Sequence, residues 1–148
     1  MAGEDAALNN VNDLHSHRMH TSGSEVYEVR DHFLYRNGYQ VPFVPHDKRD
    51  GRSKIDPKFF VYHYHAGRFG LDGLVSHMKK SSTRADVHLC MDREGNIVQM
   101  APFNEKCWHA GTSSYGGYTG LNSHSIGIEV INPGALEIVE SGKLYNGS

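Results

Sequence analysis

Histidines and one glutamate stand in this chain where the surrounding sequence is apolar or turning. His63 and His65 lie in Phe60-Val61-Tyr62-His63-Tyr64-His65-Ala66-Gly67, and His88 in Val87-His88-Leu89. His109 lies in Trp108-His109-Ala110-Gly111, and Glu129 in Ser125-Ile126-Gly127-Ile128-Glu129. An imidazole or carboxylate enclosed by apolar chain has to be hydrogen-bonded, bound to metal or used in chemistry. A hydrolytic metal site is the first reading to test.

Spacing sharpens that reading. Two residues apart on a strand, His63 and His65 project from one face, roughly 7 Å apart at about 3.3 Å per residue, so two imidazoles can reach one zinc ion. The bland alternative makes one of them a hydrogen-bonded core histidine and leaves the other exposed. Glu129 shares a face with Gly127, opposite Ile126, Ile128 and Val130. The missing side chain at Gly127 is expected to open space beside the carboxylate. A glutamate in such a recess has its pKa raised and can act as general base toward a metal-bound water. On a half-exposed sheet it would simply be solvated. Trp108 and His109 offer a stacking surface and a ring donor, unless Trp108 only caps the core. His88 faces away from Val87 and Leu89, together with Cys90, and joins the His63 face if the strands are neighbours. His77 and His124 read as surface residues.

The elements that must position these groups follow from periodicity and turn chemistry. Phe59 to Tyr64 is aromatic and β-branched, which predicts a central strand. Gly67 and Gly70 lead into a helix from about Leu71, with Leu74, Val75 and Met78 inward and Lys79-Lys80 at its C-terminal end. Val87 to Met91 and Ile97 to Met100 flank Asp92-Arg93-Glu94-Gly95-Asn96, a hairpin in which Gly95 takes positive φ. Trp108 to Asn122 is rich in Gly, Ser and Tyr and too long for a passive connector, which points to a binding loop or lid. Ser125 to Ile131 is the last strand, ended by Asn132-Pro133-Gly134. Upstream, Glu25 to Tyr39 predicts an edge strand or hairpin turning at Asn37-Gly38, and His46 to Pro57 a charged loop. Residues 1 to about 25 read as a flexible polar arm carrying His15, His17 and His20, and 26–148 as the folded domain. The tail to Ser148 reads as polar and irregular. The whole is a mixed α/β layer.

Bulk properties exclude several classes. A chain of 148 residues is one small domain with a single core. With 15 Lys and Arg against 17 Asp and Glu, the net charge of -2 supplies no basic field for nucleic acid. No apolar run is long enough to span a membrane. Met1 to Val11 carries Glu4 and Asp5 and lacks the basic and apolar regions of a secretory signal, so any export is expected to use lysis or a dedicated machine. Cys90 and Cys107 lack metal-knuckle spacing; buried free thiols are the expectation over a disulfide.

Taken together, these segments resemble the type 2 N-acetylmuramoyl-L-alanine amidases, a family that takes in phage lysozyme-like amidases, AmpD-like bacterial enzymes and, more distantly, peptidoglycan recognition proteins. The resemblance runs from Val41-Pro42-Phe43 to Asn132-Pro133-Gly134. Phe60 to Gly67 resembles a first strand usually ending His-Tyr-Thr-Ala-Gly, with His65 in place of threonine. Val87-His88-Leu89 with Asp92-Arg93-Glu94-Gly95 resembles the Ser-Ala-His hairpin, with Asp86-Val87 in place of Ser-Ala. Gln99 through Gly111 and Ser125 to Glu129 are close to the family pattern. The resemblance implies a mixed central sheet flanked by helices, zinc as cofactor, His63 as a zinc ligand and Glu129 as catalytic acid/base. It also implies His88, Trp108 and His109 as substrate-binding residues, and peptidoglycan or a muropeptide as the partner, in a bacterial cytoplasm or encoded by a phage.

One part of the pattern is missing. The family's second histidine and third ligand follow the last strand and a further helix, in a Gly-His segment and a Pro-Gly-Arg-Lys-x-Asp-Pro-Gly-like run. Nothing of that kind occurs between Ala135 and Ser148. A catalytic zinc needs three protein ligands. The preferred expectation is a fragment completed at its C-terminus by another segment or chain. The alternatives are a site rebuilt from His63, His65 and His88, or a peptidoglycan-binding module that has lost its metal.

Overall fold

The computed structural model describes residues 24–47, 52–65, 67, 70–132, 137–138 and 144–145. Residues 1–23, which hold the three histidines of the N-terminal arm, lie outside the described residues.

The chain enters through a meander of β1 (Tyr27–Arg30), β2 (Phe33–Arg36) and β3 (Tyr39–Gln40). Asn37-Gly38 forms the turn between β2 and β3, both residues at positive φ as a tight hairpin turn demands. A second turn, at Asp31 and His32, also lies at positive φ and is not signalled by glycine. Buried Gln99 ties the meander down: its Oε1 accepts the Leu34 N–H (2.8 Å), and its Nε2 donates to the His32 and Ala101 carbonyls (3.0 and 2.9 Å).

The main sheet contains β4 (Phe59–His65), β5 (Leu89–Met91), β6 (Ile97–Gln99) and β9 (Ser125–Ile131), in the order β4-β9-β5-β6. β9 runs parallel to β4 and β5, while β5 and β6 form the expected hairpin, with Gly95 at φ +80°. The aromatic strand β4 is therefore an edge rather than the centre. Its alternation follows: Phe60, Tyr62 and Tyr64 are exposed, while Phe59, Val61, His63 and His65 are half-buried. The central place belongs to β9, buried on both faces except at Val130.

Helix α1 (Leu71–Lys79) covers one face with Leu71, Leu74, Val75 and Met78, spaced as a single helical stripe, against Val87, Cys90, Val98, Met100 and Ile131. The opposite face packs Leu89, Ile126 and Ile128 against Leu34, Val41 and Phe103. Among the described residues, α1 covers one face of the mixed sheet and the meander the other, in keeping with the expected mixed α/β layer. Cys90 and Cys107 are free and buried. The tail is less irregular than expected, since β10 (Glu137–Ile138) and β11 (Leu144–Tyr145) pair antiparallel. Among the described residues no helix is long and apolar enough to cross a membrane.

Candidate active site

The parallel register of β4 and β9 sets Phe59 opposite Ser125, Val61 opposite Gly127, and His63 opposite Glu129. Period-two alternation puts the side chains of Ser125 and Glu129 on the His63 face. Glu129 is buried, 8% exposed, and burial raises the pKa of its carboxyl. The His65 ring lies 3.8 Å from Glu129, Nδ1 to Oε1, and burial lowers the pKa of both His63 and His65.

Gly127 does not leave the open recess expected of it. The His109 ring occupies that space: a Cβ on Gly127 would lie 2.5 Å from His109 Cγ and 2.7 Å from Cδ2 and Nδ1. The loop that carries the ring includes a small hairpin of β7 (Ser114–Tyr115) and β8 (Tyr118–Thr119) and a 3-10 turn, Leu121–Ser123. Asn122, buried in that turn, accepts the His109 and Ala110 N–H groups at 2.9 and 2.7 Å. His109 Nδ1 lies 3.0 Å from His63 Nε2, and His109 Nε2 lies 3.3 Å from Ser125 Oγ. Burial, reinforced by the neighbouring His63, pushes the His109 pKa down to about 4.

His88 is fully buried and belongs to the framework. Its Nδ1 accepts the Gly127 N–H (3.1 Å) and its Nε2–H donates to the Glu105 carbonyl (2.7 Å), which fixes the neutral tautomer. Burial holds its pKa at about 4. Neither ring nitrogen is left for a ligand, so a substrate-binding role, or a zinc site rebuilt from His63, His65 and His88, does not match its placement. Trp108 does face solvent, 56% exposed, with the Lys106 ammonium 4.0 Å over its ring. It does not cap the core.

The backbone of Trp108 is held by a buried ion pair that sequence reasoning missed. Asp86 accepts the Trp108 N–H and pairs with Arg52, which also donates to the Lys106 carbonyl at 2.7 Å. Burial opposes ionisation of Asp86, but the Arg52 and Trp108 hydrogen bonds outweigh it and its carboxyl lies below the usual range. Ser125 and Asn122 were missed as well. Alternation along Ser125-Ile126-Gly127-Ile128-Glu129 already placed Ser125 on the Glu129 face. No signal marked Asn122.

Among the described residues no three His, Cys, Asp or Glu side chains are grouped to hold a metal ion. These residues therefore do not by themselves fit a catalytic zinc, which takes three protein ligands and keeps one open position.

A mixed sheet with one helix-covered face thus carries a histidine and a buried glutamate side by side on parallel strands, and comparison with known proteins defines the class of the fold. The profile of the N-acetylmuramoyl-L-alanine amidase family matches residues 51–146, and the chain belongs to that family. It is 40% identical over 76 residues to the 1,6-anhydro-N-acetylmuramyl-L-alanine amidase AmpD of Citrobacter freundii, a match covering 51% of this chain and 33% of that protein. To AmpD of Escherichia coli K12 it is 47% identical over 47 residues, covering 32% of this chain and 26% of that one. The crystal structure of a selenomethionine derivative of AmpD superposes with a TM-score of 0.53 at 28% identity, covering 62% of this chain and 61% of the other. The fold is the α/β amidase fold. The matched stretch spans about a third of the length of the curated relative from Citrobacter freundii.

Proposed function

We propose that this protein hydrolyses the amide bond between N-acetylmuramic acid and L-alanine in peptidoglycan or a muropeptide, through a domain spanning residues 26–148. Family membership and the name of the AmpD relatives support the substrate class. The observation that carries the reading is the placement of Glu129, buried and directly opposite His63 on adjacent parallel strands.

Hydrolysis adds water to the lactyl carbonyl and breaks the C–N bond, leaving a muramic carboxylate and a free alanine amine. A proton must leave the attacking water and reach the departing nitrogen. Glu129 is suited to carry it, because burial raises its pKa toward that of a useful general acid/base. Trp108 offers an exposed aromatic face to the sugar or peptide beside it. Zinc belongs to this reading as the cofactor that the family resemblance implies, with His63 as one ligand. The remaining donors have to come from outside the described residues, or from a second segment or chain.

A second reading, a peptidoglycan-binding module without a competent metal site, is favoured by the lack of a three-ligand group among the described residues. One experiment separates the two. The purified protein is analysed for metal, then incubated with an anhydromuramoyl peptide in the presence of zinc, with products followed by mass spectrometry. The amidase reading expects release of the peptide, and its abolition in Glu129→Gln with muropeptide binding retained. Full turnover by Glu129→Gln would remove Glu129 from its role. Muropeptide binding by a wild-type protein that holds no stoichiometric zinc and releases no peptide would favour the binding module.

A further inference from the structure

We infer that Ser125 and His109 are positioning residues that fix the tautomer of His63, leaving its Nδ1 unprotonated. The chain of contacts is Leu121 carbonyl, Ser125 hydroxyl, His109 ring, His63 ring. Ser125 is fully buried, and its Oγ lies 2.6 Å from the Leu121 carbonyl oxygen. Two oxygens approach that closely only with a proton between them. A carbonyl has none to give, so the single hydroxyl proton of Ser125 is committed to Leu121.

Every other proton in the chain is then determined. With its proton spent, Ser125 Oγ can only accept from His109, 3.3 Å away, so His109 carries its hydrogen on Nε2. A neutral imidazole with Nε2–H has a bare Nδ1. His109 Nδ1 is 3.0 Å from His63 Nε2, so His63 Nε2–H is the donor in that bond. His63 is left with its Nδ1 lone pair unprotonated. The opposite ordering would need Ser125 to donate to His109, leaving the 2.6 Å contact with Leu121 without a hydrogen. A hydroxyl separated from His63 by a whole ring therefore decides which nitrogen of His63 can bind a cation or accept a proton.

The anchoring fits the task. Asn122 fixes the His109 backbone, and the missing side chain at Gly127 lets the ring lie against β9, so the relay ring is held from two sides. Partners of this kind, set behind a reactive imidazole, fix its tautomer and raise its basicity. The inference rests on the amidase reading only for the use made of the Nδ1 lone pair.

The test is the proton distribution on the histidine rings of the full chain, labelled with 15N-histidine and read from long-range proton–nitrogen correlations at neutral pH, without substrate or metal. His63 is assigned by the signals lost in His63→Gln. The expected result is His63 and His109 both protonated on Nε2 and bare on Nδ1. In Ser125→Ala the ordering group is gone, and the Nδ1–H form of His63 is expected to rise at least severalfold; Ser125→Thr, which keeps a hydroxyl, is expected to retain the wild-type pattern. A wild-type His63 carrying its hydrogen on Nδ1 overturns the inference, even if no variant folds. So does a Ser125→Ala spectrum in which the His63 ratio is unchanged. Because the readout needs no turnover, a protein inactive on muropeptides can still confirm the relay, and an active one can still refute it.

Discussion

Adding one methyl group to Gly127 tests the packing on which the site depends. Gly127 has no positive φ, so alanine meets no backbone strain there. In a strand, replacing glycine ordinarily stabilises by roughly 0.5–1 kcal/mol, because glycine loses more backbone freedom on folding. Here the new Cβ would lie 2.5 Å from His109 Cγ. Reaching an ordinary contact of about 3.4 Å requires the ring to move by about 0.9 Å. Asn122 anchors the backbone behind that ring, so the displacement is resisted. Overpacking of this kind costs about 1–3 kcal/mol. A 0.9 Å shift is also large against the 3.0 Å bond to His63, which is expected to break. Gly127→Ala should therefore destabilise the protein, while in a His109→Ala background the same substitution should be neutral or stabilising. The coupling between the two sites should reach at least about 1 kcal/mol, within the range found for residues in contact. Urea denaturation of the four proteins of this double-mutant cycle measures it. If Gly127→Ala is as stable as wild type, or costs the same in both backgrounds, His109 does not fill the space over Gly127.

The other expectations concern buried charge. His88 has a pKa of about 4 in the folded protein against 6.5 when free, so between those values the unfolded chain takes up a proton that the folded one refuses. Stability should rise with pH across that window and fall as pH drops from 6.5 toward 4, by at most about 3 kcal/mol from this residue; denaturant titrations at pH 7 and pH 4.5 giving equal stability would contradict it. Glu129 has the opposite sign: its raised pKa gives a contribution present at acid pH and lost as pH rises, so Glu129→Gln should increase stability at pH 7. A fall in its denaturation midpoint at that pH would argue that the ionised carboxylate has a stabilising partner. Asp86→Ala should cost on the order of 3 kcal/mol, since it leaves the Arg52 guanidinium buried without its counter-charge and frees the Trp108 N–H. A loss below about 1 kcal/mol, measured by denaturation, would show that water takes the place of Asp86.

Local signals were enough to read the elements. The stripe Leu71, Leu74, Val75, Met78 has only one regular solution, a helix with that face inward, and it forms over Leu71–Lys79. Asn37-Gly38 and Gly95 announce turns because their backbone preferences are intrinsic. Asp31 and His32 turn as tightly at positive φ, but nothing in their residue types demands it; the pairing of β1 with β2 imposes it. The rank of β4 within the sheet was read wrongly for a related reason. Aromatic and β-branched residues favour any strand, and only the tertiary order β4-β9-β5-β6 leaves Phe60, Tyr62 and Tyr64 facing water.

Period-two alternation was sufficient to say that Glu129 and Gly127 share a face, and that His63 and His65 share another strand's face. It could not say that the two strands are neighbours, since the pairing joins positions 66 residues apart. Nor could it tell an open recess from a filled one. A glycine facing a cleft has the same meaning in sequence whether a ligand or another side chain takes the space; here it is His109, brought over Gly127 by a loop whose geometry depends on Asn122. That difference recasts the histidines. His88 and His109 looked like groups turned toward a substrate, yet each has both ring nitrogens occupied within the protein. Their hydrogen bonds converge on Gly127 and His63, so the proposed chemistry falls to His63, with the carboxylate of Glu129 opposite it and the His65 ring 3.8 Å from that carboxylate.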